Sequence, residues 1–409
     1  MQPVVVQKYG GSSVADVERI LKVADRIVAT RNAGRRVVAV VSAMGKTTDG
    51  LVKLAHEVCD TPDRRELDML LTAGERISMS LLAMAVRARG LPATSLTGSQ
   101  CGILTNDAPG GARVVEVRPY RVQDALDQGH VVIVAGFQGV SYRREVTTLG
   151  RGGGDTTAVA LAAALGAESC EIYSDVDGVY SADPRVVEDA RRLDSLSHDE
   201  MLAMARCGAK VLAADAVAYA RMHGIALYAR AQDGRTGETI VRNNLPSDHA
   251  WISGVAARHG CALLRYAADD DVQAAVEAEL RAANLSPIAL ITASSAAGEH
   301  TLLLGRDVAD AVDPTFERCL ATLQSQLGPA LILQRGTLVS IVGPAVGREP
   351  GLLTAFRAAL TASGAAADTV LCHGLCLSGL LGPADADAAV VALHRTFVQG
   401  GPWHTPAPS

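Results

Sequence analysis

Over the first 245 residues, short apolar runs alternate with longer stretches in which apolar side chains recur every three to four positions. The runs 4–6, 37–41, 131–135 and 170–173 are apolar or β-branched, the pattern of strands buried on both faces. The stretches 14–29, 51–58, 67–87, 156–165 and 198–205 predict helices. In the first of these, Val14, Val17, Ile20, Leu21, Ala24, Ile27 and Val28 form one apolar stripe. Strands alternating with helices predict an α/β domain with a mostly parallel sheet.

The pattern lapses around 236–249. Thr236-Gly237-Glu238 and Asn243-Asn244-Leu245-Pro246-Ser247-Asp248 are turn-rich and polar, which predicts a linker. Beyond it two smaller units repeat one logic, a strand at 260–266 leading to a helix at 270–283 and a strand at 337–342 leading to a helix at 350–361. Helices also fit 315–327 and 385–397. The expected organisation is one domain over 1–245 and two small α+β, ferredoxin-like domains over 246–335 and 336–400. A loose, proline-punctuated tail is expected over 401–409.

Composition narrows the function more than the fold. Aromatic residues are 3% of the 409 and the net charge is −6, which excludes base-stacking platforms and a broad basic footprint for nucleic acid. No run approaches the roughly 18 consecutive apolar residues of a membrane span. The N-terminus lacks the basic-then-apolar order of a signal peptide. Eight cysteines are scattered with no Cys-x-x-Cys, which predicts reduced thiols, no zinc pattern and a cytoplasmic protein. Only five of the 38 basic residues are lysines: Lys8, Lys22, Lys46, Lys53 and Lys210. Against such a bias, a retained lysine marks a place where arginine will not serve.

Two glycine loops have the chemistry of phosphate cradles. In Lys8-Tyr9-Gly10-Gly11-Ser12-Ser13, after the first predicted strand, Gly10 and Gly11 let backbone amides approach an anion. Lys8 can face a transferring phosphoryl group, or the segment is an ordinary turn with a solvated lysine. Gly150-Arg151-Gly152-Gly153-Gly154-Asp155 holds four glycines in five positions, each costing about 0.5–1 kcal/mol of conformational freedom. A backbone wrapped round a ligand explains them better than packing. Arg151 suits a substrate carboxylate, while Asp155 can hold Lys8, orient the nucleophile or cap the next helix.

Further along, Ser174-Asp175-Val176-Asp177-Gly178-Val179-Tyr180, with Asp183-Pro184-Arg185 beyond it, lies past a strand end, where nucleotides gather in open α/β sheets. Lys210 begins a helix after Gly208, where a lysine opposes the helix dipole unless an anion is bound. Gly45-Lys46-Thr47 imitates the end of a Walker loop, but Val40 stands where that loop needs glycine.

Taken in order, the first glycine loop, Val41-Ser42-Ala43-Met44-Gly45, Leu71-Thr72-Ala73-Gly74-Glu75-Arg76-Ile77-Ser78, Thr97-Gly98-Ser99-Gln100, Val134-Ala135-Gly136-Phe137-Gln138-Gly139, the second glycine loop and the Tyr173-to-Arg185 segment closely resemble the aspartate kinase family. The two C-terminal units are more faintly similar to that family's paired ACT domains. The resemblance implies the amino-acid kinase fold, an α/β/α sandwich. It implies ATP-dependent phosphorylation of the aspartate side-chain carboxylate, with Mg²⁺ bridging the ATP phosphates. By the family's pattern Lys8 stabilises the transferring group and Asp155 organises Lys8. Thr48, Glu75, Arg151, Gly152, Gly153 and Gly154 would hold the amino acid. Lys8, Gly10, Gly11, Ser174, Asp175, Tyr180, Arg185 and Lys210 would hold ATP.

The chain also departs from that pattern. Gly154 stands where family members carry serine, which keeps a kinase for a related acidic amino acid as an alternative, and Asp215 replaces an arginine. In the first ACT-like unit Ala267-Ala268-Asp269-Asp270-Asp271-Val272 replaces a Pro-Gly effector loop, and Ile291-Thr292-Ala293-Ser294-Ser295 replaces a Gln-Asn strand end. The second keeps Glu349-Pro350-Gly351, but Val370-Leu371-Cys372-His373-Gly374 stands in place of a serine-rich strand. The expectation is weakened or lost feedback by lysine and threonine. The ACT-like units would survive as the scaffold of a homodimer or higher homo-oligomer. A non-catalytic amino-acid sensor is a further reading, which intact Lys8, Arg151 and Asp155 oppose.

Overall fold

The computed structural model describes residues 2–400 apart from 151, 244–250, 284, 293–297, 307–313 and 368; the expected tail over 401–409 lies outside them. The chain forms two compact units. The first takes 1–179, 193–201 and 211–245; the second takes 180–192, 202–210 and the chain from 246 onward.

In chain order up to 245 the strands are β1 (Val4–Tyr9), β2 (Arg36–Val41), β3 (Ala93–Leu96), β4 (Ile103–Thr105), β5 (Val114–Val117), β6 (Val131–Ala135), β7 (Gln138–Ser141), β8 (Val146–Thr148), β9 (Ser169–Ser174), β10 (Ser195–Leu196), β11 (Leu227–Ala231) and β12 (Glu238–Val241). The helices are α1 (Val17–Asn32), α2 (Thr47–Val58), α3 (Arg64–Leu71), α4 (Ala73–Arg87), α5 (Tyr120–Asp127), α6 (Gly153–Ala164), α7 (His198–Arg206) and α8 (Ala214–His223). Eight strands make the main sheet in the order β10-β12-β11-β9-β1-β2-β6-β3. It is parallel from β11 to β3, and β12 runs against β11. The strands β5-β4-β7-β8 form a smaller sheet.

Strand β1 runs past its apolar start because it is paired on both sides. Lys8 stands opposite Val40 of β2 and Ile172 of β9, so it lies inside the strand rather than after it. Alternation then divides the side chains. Tyr9 is buried with Ile20, Ala24 and Ile27 of α1 and Leu82 and Val86 of α4, while Lys8 faces the other way, toward α6. Helix α6 is apolar nearly all round and almost wholly buried, as a helix laid on a sheet and covered again must be.

Local chemistry moves three predicted boundaries. The helix expected from 14 is preceded by a 3₁₀ turn (Gly11–Val14) and starts at Val17, because Asp16 caps it by accepting from the Arg19 amide at 2.9 Å. The stretch 67–87 breaks at Thr72 into α3 and α4, and Asp63 caps α3. The run Arg64–Arg87 is long and apolar enough to cross a bilayer on composition alone, but 56% of its apolar window is buried inside the protein. Part of the expected linker is strand β12, where Glu238 stands opposite Arg230 and pairs with it at 2.6 Å.

The second unit contributes strands β13 (Gly254–Ala267), β14 (Ala289–Thr292), β15 (Glu299–Gly305), β16 (Ile332–Val342), β17 (Thr369–His373) and β18 (Cys376–Leu381). Its helices are α9 (Asp270–Ala283), α10 (Pro314–Leu327), α11 (Leu352–Ala362) and α12 (Ala386–His394). The strands form one antiparallel sheet, β14-β15-β13-β16-β18-β17. The β13–β16 ladder shifts register between Arg258 and Cys261. One core gathers Leu264, Tyr266, Leu280, Phe316 and Leu320; the other gathers Val339, Ile341, Phe356, Leu360, Leu393 and Phe397. Both halves use β13 and β16, so the division expected between 335 and 336 falls inside a continuous strand.

Ala182 and Val187 are buried in the second of these cores with Ile252 and Phe356. The segment 180–192 therefore folds with the C-terminal sheet, although it lies within the expected 1–245 domain. A fragment 1–245 exposes that apolar pair and is expected to aggregate or melt without cooperativity, while the full chain gives cooperative thermal unfolding. A monomeric fragment with a sharp transition by circular dichroism would contradict this.

Candidate active site

The carboxyl ends of β1, β2 and β6 meet the amino ends of α4 and α6. Lys8 Nζ lies 2.7 Å from Asp155 Oδ1, with side-chain exposures of 14% and 10%. Asp155 sits in the first turn of α6 rather than at its cap, because the capping position is Gly152, whose φ of +72° needs no side chain there. The second Asp155 oxygen accepts from the Ala213 amide at 3.4 Å. Gly10 is adjacent: a Cβ there would stand 3.6 Å from Lys8 Nζ.

Close backbone contact holds this corner. A Cβ on Gly136 would lie 3.2 Å from the Gly154 Cα and 3.1 Å from the Val41 carbonyl oxygen. One on Gly154 would lie 3.3 Å from both Lys8 Cε and Ser42 Oγ. The missing serine hydroxyl would therefore be added beside the lysine. The Gly45 amide donates to the Gly11 carbonyl at 3.1 Å, bracing the first glycine loop against the loop after β2.

Glu75, in the first turn of α4, is 3% exposed. Its Oε1 accepts from the Ala43 amide at 3.1 Å, while Oε2 is buried with no hydrogen-bond partner. Burial pushes its carboxyl up to about 7. One acceptor oxygen of this buried carboxyl is thus left for a donor from outside the chain's own hydrogen bonds. Thr48 is half-buried in the first turn of α2. Gly152, Gly153 and Gly154 run into α6 beside Lys8, while Arg151 lies outside the described residues.

The candidates for nucleotide divide between the units. Ser174 ends β9, its hydroxyl 3.2 Å from the Val176 carbonyl, and Asp175 follows, exposed, its carbonyl accepting from Arg235 at 3.0 Å. Tyr180, Arg185 and Lys210 belong to the second unit. There Arg185 forks onto Asp183 at 2.7 and 3.0 Å, and Lys210 adds a weaker pull, so Asp183 is held below the usual carboxylate range.

Asp68 is a further positioning residue that periodicity hid. It is 1% exposed and accepts from the Gly110 amide and from both the amide (3.0 Å) and hydroxyl (2.6 Å) of Thr148. It thereby ties the strand feeding the second glycine loop to α3. Along the chain it is only an acid on a helix, which normally reads as a solvated residue.

The sequence matches the amino acid kinase family over residues 3–229. The chain is 45% identical over 410 residues to the aspartokinase of Mycobacterium tuberculosis, covering 97% of this chain and 96% of that protein. It is 43% identical over 406 residues to the aspartokinase of Corynebacterium glutamicum, with the same shares covered. The crystal structure of Escherichia coli aspartokinase III in complex with aspartate and ADP superposes with a TM-score of 0.82 at 26% identity, covering 96% of this chain and 99% of that one.

The Glu75 environment has a testable consequence for stability. The unfolded chain releases this proton near 4.5 and the folded chain near 7. The folded state thus holds the extra proton between those values, and stability falls as pH rises through them, by about 3 kcal/mol in total. Glu75→Gln is expected to raise the melting midpoint by several degrees at pH 8 and far less at pH 5. Equal shifts at both pH values would contradict a buried ionising carboxyl.

Proposed function

The chain belongs to the amino acid kinase family and, within it, to the aspartokinases, and on that premise we propose that it transfers the γ-phosphoryl group of ATP to the side-chain carboxylate of L-aspartate. The products are 4-phospho-L-aspartate and ADP. The observation that carries this reading is the Lys8–Asp155 pair at 2.7 Å where glycine-lined strand ends meet. A carboxylate is already a nucleophile, so the reaction needs positioning and charge neutralisation rather than a general base.

In this reading Lys8, fixed by Asp155, presents its ammonium to the transferring phosphoryl group, and the amides around Gly10 and Gly11 face phosphate oxygens. Glu75 takes the aspartate ammonium, whose charge also favours the ionised carboxylate. Thr48, Gly152, Gly153 and Gly154 line the amino-acid site, with Arg151 on its α-carboxylate. Ser174, Asp175, Tyr180, Arg185 and Lys210 hold ATP. The anionic side chain beside Lys8 is Asp155, and Mg²⁺, which takes most of its ligands from phosphate and water, would need little more from the protein. Bound with ATP, the cation would supply neutralisation of phosphate charge beside the Lys8 ammonium.

We also place the enzyme in the cytoplasm, where ATP is available and its eight free thiols stay reduced. Two copies pair through the C-terminal sheet, whose outer strands β14 and β17 have an unpaired edge among the described residues. Light scattering then gives twice the 42.5 kDa chain mass, or a higher multiple of it, and a mass of 42.5 kDa would contradict the pairing.

Weakened feedback rests on the start of α9. Asp269 Oδ1 accepts from the amides of Asp271 at 3.0 Å and Val272 at 3.2 Å, so the loop that replaces Pro-Gly satisfies its own donors. Of the altered strand end, Ala293, Ser294 and Ser295 lie outside the described residues. Glu349 and Pro350 of the retained Glu349-Pro350-Gly351 line a cavity of about 430 Å³ with Leu352, Leu353 and Val370.

Coupled ADP release with Mg-ATP and a panel of acidic amino acids tests the activity. Aspartate-dependent turnover is expected, with Lys8→Ala lowering kcat by about 10²–10³ while the far-ultraviolet spectrum stays native. Turnover only with another acid would reassign the substrate, and silence across the panel would remove the kinase reading. Lysine plus threonine at submillimolar concentration is expected to leave the rate nearly unchanged; half-inhibition there would restore feedback.

A further inference from the structure

The cysteines carry no metal spacing in the sequence, yet the second unit brings three ligand-type side chains together. Cys207 follows α7, His373 ends β17 and Cys376 opens β18. The hairpin register sets His373 directly opposite Cys376, so both side chains leave one face of the sheet. Cys207 Sγ lies 3.4 Å from Cys376 Sγ, and a His373 ring nitrogen lies within 4.8 Å of both sulfurs. A tetrahedral ion with metal–sulfur bonds of about 2.3 Å and metal–nitrogen bonds of about 2.0 Å separates its ligand atoms by about 3.5–3.8 Å. Movements of about an ångström or less would complete that geometry.

The surroundings favour coordination over apolar packing of two thiols. His373 Nε2 is 3.0 Å from Ser378 Oγ, which in turn lies 2.7 Å from Ser340 Oγ, so the ring is oriented by a hydroxyl chain. Outer hydrogen bonds of this kind orient metal-bound imidazoles.

We infer that Cys207, His373 and Cys376 bind one thiophilic d¹⁰ cation, Zn²⁺ or Cu⁺, with any further position open to water. Two metal–sulfur bonds and one metal–nitrogen bond form, and the two thiols release their protons to solvent. Two thiolates balance the charge of a divalent ion. The bound cation ties the segment 202–210, which ends at Lys210, to the β17–β18 hairpin.

The test uses the full chain, reduced with a phosphine, stripped with a chelator and titrated with Co²⁺ as the optical probe. One equivalent is expected to produce a thiolate-to-cobalt charge-transfer band, which Zn²⁺ or Cu⁺ then abolishes; the cation that does so at lower free concentration is the better occupant. Cys207→Ser and His373→Gln are each expected to weaken binding by about 100-fold or more, whereas Cys59→Ser and Cys372→Ser leave it unchanged. Absence of the band in the reduced wild-type chain overturns the site, as does a band that survives Cys207→Ser. Because the wild-type chain alone can fail the test, misfolding of a variant does not protect the inference. Air oxidation that links Cys207 to Cys376, in a chain that takes up no cation when reduced, would identify a disulfide pair instead and also overturn it.

Discussion

The ion pair between Lys8 and Asp155 is the constraint around which the first unit is arranged. Both charges are largely out of water, so each depends on the other; removing one partner of such a pair typically costs about 3–5 kcal/mol. The pair forms only if β1 delivers Lys8 toward α6 and α6 starts where Asp155 points back at the strand. Gly152 sets that start with a left-handed turn. The bare contact of Gly136 with Gly154 lets β6 and α6 approach closely enough. A side chain at Gly136 would press on the Val41 carbonyl and the Gly154 backbone and push β6 and α6 apart.

The opposite face of β1 is also polar, and it is satisfied internally. Gln7 donates to Glu171 at 2.9 Å, Tyr9 donates to Gln7 at 3.1 Å and Tyr173 donates to Glu171 at 2.9 Å. Arg230 joins Glu171 at 2.5 Å to Glu238 at 2.6 Å, spanning β9, β11 and β12. The rings of Tyr9 and Tyr173 stack at 5.0 Å, and Arg26 of α1 covers Tyr173 at 4.5 Å. A fully satisfied buried network specifies register more sharply than apolar side chains do. Here it fixes how far β1 and β9 extend, and so where Lys8 and Ser174 emerge.

Much of this was legible along the chain. The apolar runs located β1, β2, β6 and β9 because parallel strands buried on both faces need continuous apolar sequence. Clustered glycines located the loops because nothing but close approach or a left-handed turn repays their entropy. Scarcity of lysine pointed to Lys8. Asp68 was not legible, since its partners Gly110 and Thr148 are distant in sequence and an acid on a helix normally reads as solvated. The interleaving of 180–192 with the C-terminal sheet was equally hidden, because apolar residues such as Ala182 and Val187 announce burial without saying in which core.

Sequence by itself therefore determined the α/β order, the two glycine loops and the family, since each depends on local periodicity, on backbone freedom or on short motifs. Tertiary structure decided which charges are paired and which boundaries hold. It set Lys8 against Asp155, left one oxygen of Glu75 unsatisfied, ran β13 and β16 through both C-terminal cores, and brought Cys207 to Cys376 across 169 residues. The physical reason is the range of the forces involved. Helix and strand preferences act over a few neighbours, whereas desolvation and charge pairing depend on what the whole fold places within a few ångströms.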